Sequence, residues 1–393
     1  MYLNYLSLHN FRNYLQLDLA FEDRITLFYG PNASGKTSLL EAIFFLATTR
    51  SPRTRNERLL IRQEAQGEAG ELPFLRLVAE VQQAREKVQL EALIQARADE
   101  KTNSSANSAQ KTLLIKGKTT RALDFVGQLR VVLFSPTDIM LIDGPPNERR
   151  RYLDLTLSQI DSRYLRNLAR YQELLKQRNS LLRAWREQRR PQRAVDNELA
   201  FWDKELATTA SNVLNERLRA ITDLNRLVAP LFCTIMETNQ ELKITYQPSF
   251  AFDASVTSAN LAQEMLQKLQ KLRSEELKRG LTLIGPHRDD LFFTLEGQNL
   301  GFYGSRGQQR SATLALKLGE ATLMQQRTGE KPVLLLDDLL SELDNLRREH
   351  ILQLLQQQKQ QIFLTATDLS VFTGAFLQDI QRKRVEMGEI YPG

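Results

Sequence analysis

The amino-acid sequence predicts an α/β fold that carries an inserted, mostly helical lobe. A glycine-rich stretch, residues 30–37, lies between a β-like run, Ile25–Tyr29, and an apolar helix-like run at 39–47. An unbroken apolar run, Val333–Leu336, ends in two aspartates, as expected of a central parallel strand covered on both faces. In residues 146–279 apolar side chains recur at steps of three and four, the period of amphipathic helices. The first two observations predict a parallel sheet, and the third predicts the lobe.

The domain organisation follows from the positions of these patterns. A chain of 393 residues is long enough for two or three domains. We predict a sheet domain built from residues 1–145 and 280–393, and a lobe at 146–279. In the lobe the pattern predicts a long helix from Leu153, a basic turn at 183–193, a second long helix ending near Pro230, and a third helix around 261–272. The first two form an antiparallel hairpin, an arm that projects from the sheet domain.

The stretch Gly30-Pro-Asn-Ala-Ser-Gly-Lys-Thr37, called here the glycine loop, predicts a phosphate site. Strand, glycine loop and helix in this order let successive N–H groups point at one anion, and the helix adds the positive end of its dipole. Lys36 would reach the β and γ phosphates of a nucleoside triphosphate, and the Thr37 hydroxyl would bind Mg²⁺. The predicted nucleotide-binding residues are Gly30, Pro31, Asn32, Ala33, Ser34, Gly35, Lys36 and Thr37. The alternative is a glycine turn before a buried helix.

Two carboxylates, Asp337 and Asp338, follow the apolar run at 333–336. Ligands of parallel sheets gather at the carboxyl ends of the strands. Asp337 is therefore predicted to hold Mg²⁺ through water, and Asp338 to orient or deprotonate the attacking water. Solvated aspartates at a strand end would explain the strand but not the glycine loop.

A second anion site is predicted in Gly304-Ser-Arg-Gly-Gln-Gln-Arg310, called here the signature-like turn, which precedes a helix-like run. Ser305, Gly307 and Gln308 would offer a hydroxyl, backbone N–H groups and a helix dipole. One chain with two phosphate-binding ends suggests a site shared between two chains.

The chain has 53 Lys and Arg residues and 47 Asp and Glu residues. This small excess of positive charge favours polyanionic partners only modestly. Arg50, Arg53 and Arg55 lie in a basic segment (residues 50–58), which is either a solvated loop or a contact with DNA phosphates. Arg189 and Arg190 in the basic turn are further candidates for DNA contact. The run Arg149–Arg151 could meet nucleotide, DNA or a carboxylate. For His287, Arg288 and Asp289 a structural or arm-positioning role is favoured over a general base at His287.

Composition also excludes several classes. One cysteine and three histidines allow neither an intrachain disulfide nor a Cys/His zinc cluster. The longest apolar run, at 42–47, is far shorter than the ~18 residues of a membrane span. We therefore expect a cytoplasmic protein without a membrane partner.

The order of the motifs is similar to that of the ATP-binding-cassette class: glycine loop, signature-like turn, Asp337-Asp338 and then Ser341-Glu-Leu-Asp344. The full set resembles the RecF family of bacterial recombination-mediator ATPases. The stretches that carry the resemblance are Asn10-Phe-Arg-Asn-Tyr14, the glycine loop with Ser38, Phe134-Ser-Pro, Arg149-Arg-Arg-Tyr-Leu-Asp154, Gly285-Pro-His-Arg-Asp-Asp290 and the signature-like turn.

The resemblance implies an ATP-binding-cassette-type head domain, as in chromosome-maintenance ATPases, with the lobe in place of a long coiled coil. It implies ATP-dependent binding of double-stranded, gapped and single-stranded DNA, and an ATP-dependent homodimer. It further implies roles in gap repair, replication restart and the SOS response, with RecR-like and RecO-like partners. By position, Ser305 and Gln308 would meet the γ phosphate of the partner's ATP.

Two positions depart from the pattern of the class. Asp338 stands where the class usually has Glu, and Thr365-Ala-Thr-Asp368 stands where it usually has His. These departures imply slow, weak hydrolysis, with ATP acting as a clamp and hydrolysis as its release. The alternatives are a transporter-type nucleotide-binding subunit and a nucleotide-gated scaffold without useful turnover; an ATP-dependent nuclease is least favoured.

Overall fold

The computed structural model describes residues 1–65, 72–97, 109–188, 192–252, 258–342, 345–357 and 359–393. The strands are β1 (Tyr2–Phe11), β2 (Tyr14–Ala20), β3 (Ile25–Tyr29), β4 (Phe74–Gln82), β5 (Lys87–Ala96), β6 (Ala109–Ile115), β7 (Lys118–Thr120), β8 (Val131–Phe134), β9 (Leu242–Gln247), β10 (Asp290–Leu295), β11 (Gln298–Asn299), β12 (Val333–Leu336), β13 (Ile362–Ala366), β14 (Gln381–Glu386) and β15 (Glu389–Pro392). The helices are α1 (Lys36–Thr48), α2 (Ala122–Phe125), α3 (Met140–Asp143), α4 (Pro146–Ile160), α5 (Ser162–Gln188), α6 (Gln192–Met236), α7 (Ser258–Arg279), α8 (Leu300–Tyr303), α9 (Arg306–Thr328), α10 (Asn345–Gln357) and α11 (Gly374–Gln378).

The chain divides into two compact units. The first contains Met1–Asp138, Thr234–Glu237 and Leu314–Gly393, and the second contains Ile139–Cys233 and Thr238–Thr313. The predicted border at 279/280 differs from this division. Strand β10 pairs along its whole length with β9, so the segment after α7 stays with the lobe until the first turns of α9.

The first unit contains two six-stranded sheets. One has the strand order β2-β1-β4-β5-β6-β7, and its pairs are antiparallel. The other has the order β15-β14-β3-β13-β12-β8. Its five strands from β14 to β8 are mutually parallel. Every residue of β12 and β13 is buried, so the predicted central strand and the α/β fold are confirmed.

The second unit combines helices α3 to α8 with the antiparallel sheet β11-β10-β9. Side chains of α5, α6 and α7 share one buried cluster that includes Tyr171, Leu206, Leu214, Met265 and Leu269. Burying an apolar side chain of this size contributes about 1.5 to 3 kcal/mol. The predicted third helix, α7, therefore packs against the first two.

One predicted helix is wrong in its continuity. The apolar pattern from Leu153 through Leu175 predicts a single long helix, but the structure breaks it at Asp161, whose backbone is extended. The Asp161 carboxylate accepts a hydrogen bond from the N–H of Arg163 at 2.7 Å. A carboxylate that caps the next helix competes with continuation of the previous one, and the apolar period does not register that competition.

Candidate nucleotide-binding site

The glycine loop connects β3 to α1 and has a backbone shape that requires glycine at two places. Gly30 has φ 149° and Gly35 has φ 119°, conformations that residues with a Cβ rarely adopt. A Cβ at Gly30 would lie 2.2 Å from the carbonyl oxygen of Val385, and a Cβ at Gly35 would lie 2.6 Å from the hydroxyl of Tyr14. Val385 on one side and Tyr14 on the other therefore leave no room for a Cβ at these two positions of the loop.

The N-terminus of α1 is built to receive an anion. Gly35 is its N-cap and gives no side-chain hydrogen bond to the first N–H groups, which carry the positive end of the helix dipole. Lys36 donates from Nζ to the carbonyl oxygens of Gly30 at 2.8 Å and Pro31 at 2.7 Å. Burial lowers the pKa of Lys36, and the charge of Asp338 opposes that shift. A lysine ammonium and uncapped N–H groups thus meet in one loop.

Asp337, at the end of β12, is held by two hydroxyls. Its Oδ1 accepts from Thr37 Oγ1 at 2.9 Å and from Thr365 Oγ1 at 2.8 Å. Burial raises the pKa of Asp337, while these hydroxyls and the charge of Arg53 oppose the rise. Adjacent hydroxyl and carboxylate oxygens are the hard ligands that Mg²⁺ prefers, so Thr37 and Asp337 fit the predicted metal role.

Asp338 is placed by the same threonine. Its backbone N–H donates to Thr365 Oγ1 at 2.9 Å, and its φ of 46° is left-handed, so the chain turns sharply between the two carboxylates. Thr365 begins the 365–368 stretch that stands where the class usually has His, and no sequence pattern assigned it a role of its own. It nevertheless contacts both Asp337 and Asp338.

These groups line one cavity of about 620 Å³ in the first unit, within the roughly 300 to 1,000 Å³ typical of ligand sites. Residues 32–37 of the glycine loop, Asp337 and Asp338 form one part of the lining. Arg12, Leu59 and Ile61 also line the cavity, and no sequence pattern assigned them a role there. The motif at 10–14 was recognised only as a family feature, and 59–61 carry no motif.

The glycine loop has two further supports that sequence reasoning missed. The carbonyl oxygen of Ser34 accepts from Asn13 Nδ2 and from the N–H of Gly388, each at 3.0 Å. Gly388 lies in the turn between β14 and β15, and a Cβ there would lie 2.6 Å from the carbonyl oxygen of Asn13. No local sequence signal connects residue 388 to residue 34.

The basic segment places one of its arginines at the cavity. Arg50, Arg53 and Arg55 are exposed, as a contact with DNA phosphates requires. Arg53 also lines the cavity described above. Arg189 and Arg190 lie outside the described residues.

The signature-like turn belongs to the second unit and caps its own helix. The N–H of Ser305 donates to Gln308 Oε1 at 2.9 Å, and the N–H of Gln308 donates to Ser305 Oγ at 3.2 Å. This reciprocal pair is a capping box. Gly307 lies in the first turn of α9 between them. Phe302 and Tyr303, just before the turn, are 85% and 77% exposed.

Within the segment at 285–290, His287 and Asp289 join a polar network, as the favoured structural role predicts, whereas Arg288 is exposed. His287 Nδ1 lies 2.6 Å from the hydroxyl of Tyr171. Burial lowers the pKa of His287 to about 4. Asp289 accepts from the hydroxyl of Tyr246 at 2.6 Å, and Arg217 donates to the carbonyl oxygen of Pro286 at 2.7 Å.

The arginine run at 149–151 left three partners open, and the structure gives two of its members local ones. Arg149 makes a bidentate pair with Asp290, at 2.7 and 2.8 Å. Arg150 donates to the carbonyl oxygen of Asp289 at 2.7 Å. These two arginines therefore hold the start of β10.

Among the described residues, no helix is both long enough and apolar enough to span a bilayer.

A parallel sheet, an uncapped glycine loop and paired carboxylates at a strand end define an ATPase head of the ATP-binding-cassette type. The family described as "RecF/RecN/SMC N terminal domain" matches residues 2–387. The chain is 57% identical to the DNA replication and repair protein RecF of Chloroflexus aurantiacus and 56% identical to that of Roseiflexus castenholzii, each over 100% of both chains. The chain belongs to the RecF family.

Solved structures agree with this assignment. The recombination mediator protein RecF-ATPrS in the RecFOR pathway superposes with a TM-score of 0.86 at 30% identity, covering 100% of this chain and 98% of that one. An Smc head domain from Pyrococcus furiosus gives a TM-score of 0.53 at 14% identity, covering 99% of this chain and 95% of that one. The second likeness concerns the fold alone.

Proposed function

We propose that this protein binds ATP in the cavity of the first unit and uses it to control binding to DNA during recombinational gap repair. The observation that carries the proposal is the convergence of the glycine loop, Thr37-bound Asp337 and Asp338 on one cavity. ATP-bound structures of a RecF protein and the names of the curated relatives support it.

Different residues contact different parts of the nucleotide in this proposal. Residues 30–37 hold the phosphates, with Lys36 at the β and γ phosphates. Leu59 and Ile61 offer an apolar wall to the base, and Arg53 meets the phosphate end. Thr37 and Asp337 would hold Mg²⁺, which when bound neutralises charge on the phosphates.

Asp338 is the group that orients or deprotonates the attacking water. It is one methylene shorter than the usual Glu, and the stretch at 365–368 has no histidine where the class usually has one. Both departures favour slow turnover, because the carboxylate reaches less far and an imidazole is missing from the water site. We therefore propose a weak ATPase, stimulated by DNA, in which ATP is the clamp and hydrolysis the release.

Assembly of two chains completes the site in this proposal. Ser305, Gly307 and Gln308 would meet the γ phosphate of the partner's ATP through the hydroxyl and N–H groups at the start of α9. The capping box must then exchange part of its internal hydrogen bonding for contact with the phosphate.

The DNA role rests on charge and on family membership. Exposed Arg50 and Arg55 supply phosphate contacts, whose strength falls with salt. The substrates proposed are double-stranded, gapped and single-stranded DNA in the cytoplasm. The downstream roles proposed are replication restart, the SOS response and cooperation with RecR-like and RecO-like partners.

The test is the ATP hydrolysis rate per molecule, measured against protein concentration with and without double-stranded DNA. We expect the specific activity to rise with concentration and with DNA, and to be lost in Asp338→Asn. Asp379→Asn is the matched control, because Asp379 is an exposed carboxylate that does not line the cavity.

Three other outcomes of this experiment would contradict the proposal in different ways. A flat, DNA-independent rate would show that each chain hydrolyses alone, which would overturn the shared site. ATP binding without any turnover, on DNA or off it, would identify a nucleotide-gated scaffold instead. An absence of both ATP binding and DNA binding would reject the proposed function as a whole.

A further inference from the structure

Glu41 is a buried carboxylate in α1 that the nucleotide chemistry above does not use. It is 1% exposed. Arg12 pairs with it in a bidentate manner, from Nη2 to Oε1 at 2.7 Å and from Nε to Oε2 at 2.9 Å. Ser51 Oγ donates to the same Oε1. Because a buried charge without partners is strongly destabilising, Glu41 fixes the positions of Arg12 and Ser51.

Ser51, held by Glu41, in turn holds the backbone of the turn that carries Arg53. Its Oγ accepts hydrogen bonds from the N–H groups of Arg53 and Thr54, both at 3.0 Å. The backbone of the basic segment is therefore anchored, through one hydroxyl, to the helix that begins with Lys36.

The side chain of Arg53 is held far less tightly than that of Arg12. Its Nη1 lies 3.9 Å from Glu41 Oε2, and 56% of the side chain is exposed, against 22% for Arg12. Ion pairs this open contribute about 0 to 1 kcal/mol. Arg53 can therefore leave Glu41 for a phosphate in the cavity it lines, while Arg12 keeps Glu41 paired.

We propose that Glu41 is a positioning residue that sets the preference of the cavity for nucleoside triphosphate over diphosphate. It does so by anchoring the Arg53 turn through Ser51, so that the Arg53 guanidinium is presented to the γ phosphate. The inference rests on the proposed function, since it requires ATP in this cavity.

The experiment measures the dissociation constants of ATP and ADP and takes their ratio. In Arg53→Ala the preference for ATP should fall about ten-fold, the effect of losing roughly one charge-assisted hydrogen bond. Glu41→Gln should lower the preference by a similar factor, and the double variant no further, because both changes remove the same contact. Glu57→Gln is the matched control, since Glu57 lies in the same segment but pairs with Lys111.

Ser51→Ala keeps the Glu41–Arg12 pair and breaks only the link to the turn, so it carries the test if Glu41→Gln does not fold. The inference would be overturned if Arg53→Ala lowered the preference for ATP while Glu41→Gln or Ser51→Ala kept the wild-type ratio of the ATP and ADP dissociation constants. Effects that multiply in the double variant would overturn it as well. A wild-type protein that binds neither nucleotide would instead reject the proposed function.

Discussion

The glycine loop and the signature-like turn both begin helices, yet they use their polar groups in opposite ways. At α1 the N-cap is Gly35, which supplies no side-chain partner. At α9, Ser305 and Gln308 satisfy each other's N–H groups. The N-terminus of α1 therefore has N–H groups that no side chain of its N-cap satisfies and that a ligand can accept from. At the N-terminus of α9, the capping residues already bond each other. A single chain should therefore bind nucleotide at the first site without help from the second.

The largest effect is expected where the first terminus is broken. Lys36→Ala removes the ammonium from the glycine loop and should weaken ATP binding about 100-fold, the upper range for a charged hydrogen bond. Fluorescence titration with a labelled ATP analogue measures it, and circular dichroism checks the fold. Near wild-type affinity in a folded variant would show that the loop N–H groups suffice alone.

A smaller effect is expected at the second terminus. Ser305→Ala removes the cap of α9 and the hydroxyl proposed to meet the partner's phosphate. ATP binding by a single chain should stay unchanged, while hydrolysis at high protein concentration should fall about ten-fold. Thr373→Ala, which removes the cap of α11, controls for the loss of a cap. Equal activity in the two variants would remove Ser305 from the shared site.

The third effect is of a different kind: it concerns the stability of the second unit in acid, through its buried histidine. The pKa of His287 is about 4 because burial disfavours its charged form, whereas an unfolded histidine titrates near 6.5. The unfolded chain therefore binds more protons between these values, and stability must fall as the pH falls from 6.5 to 4. The loss approaches about 3 kcal/mol below pH 4. His287→Gln should flatten this part of the profile in urea unfolding at pH 7 and pH 4.5; an unchanged slope would assign the acid sensitivity elsewhere.

The sequence predicted the parts of the site that are contiguous in the chain. The glycine loop, the strand before Asp337 and the capping residues of α9 each carry a local pattern, and the structure brings Thr37 and Asp337 within 2.9 Å of each other. The sequence did not predict Glu41, Thr365 or Gly388. Their roles come from neighbours far away in the chain, and hydrophobic period, turn chemistry and motif spacing register only nearby residues.

The same limit applies to the basic segment. Arg53 shares its composition with Arg50 and Arg55, so clustering alone grouped the three as DNA contacts. Only the anchored turn at Ser51 separates Arg53 from the others by directing it to the cavity. A charge run in a sequence therefore indicates a basic surface, but not which member faces which ligand.

The order of strands in the parallel sheet has a consequence for how the protein is made. Strand β3, which leads into the glycine loop, lies between β13 and β14, and Gln381 of β14 pairs with Thr26 across 355 positions of sequence. At about 5 to 20 residues per second, a ribosome needs roughly 20 to 70 s to make that stretch. For nearly all of that time the first strand of the candidate nucleotide site lacks both neighbours. A nascent chain should therefore gain ATP binding only near the end of its synthesis. Until then the apolar side chains of β3 stay unburied and prone to aggregation.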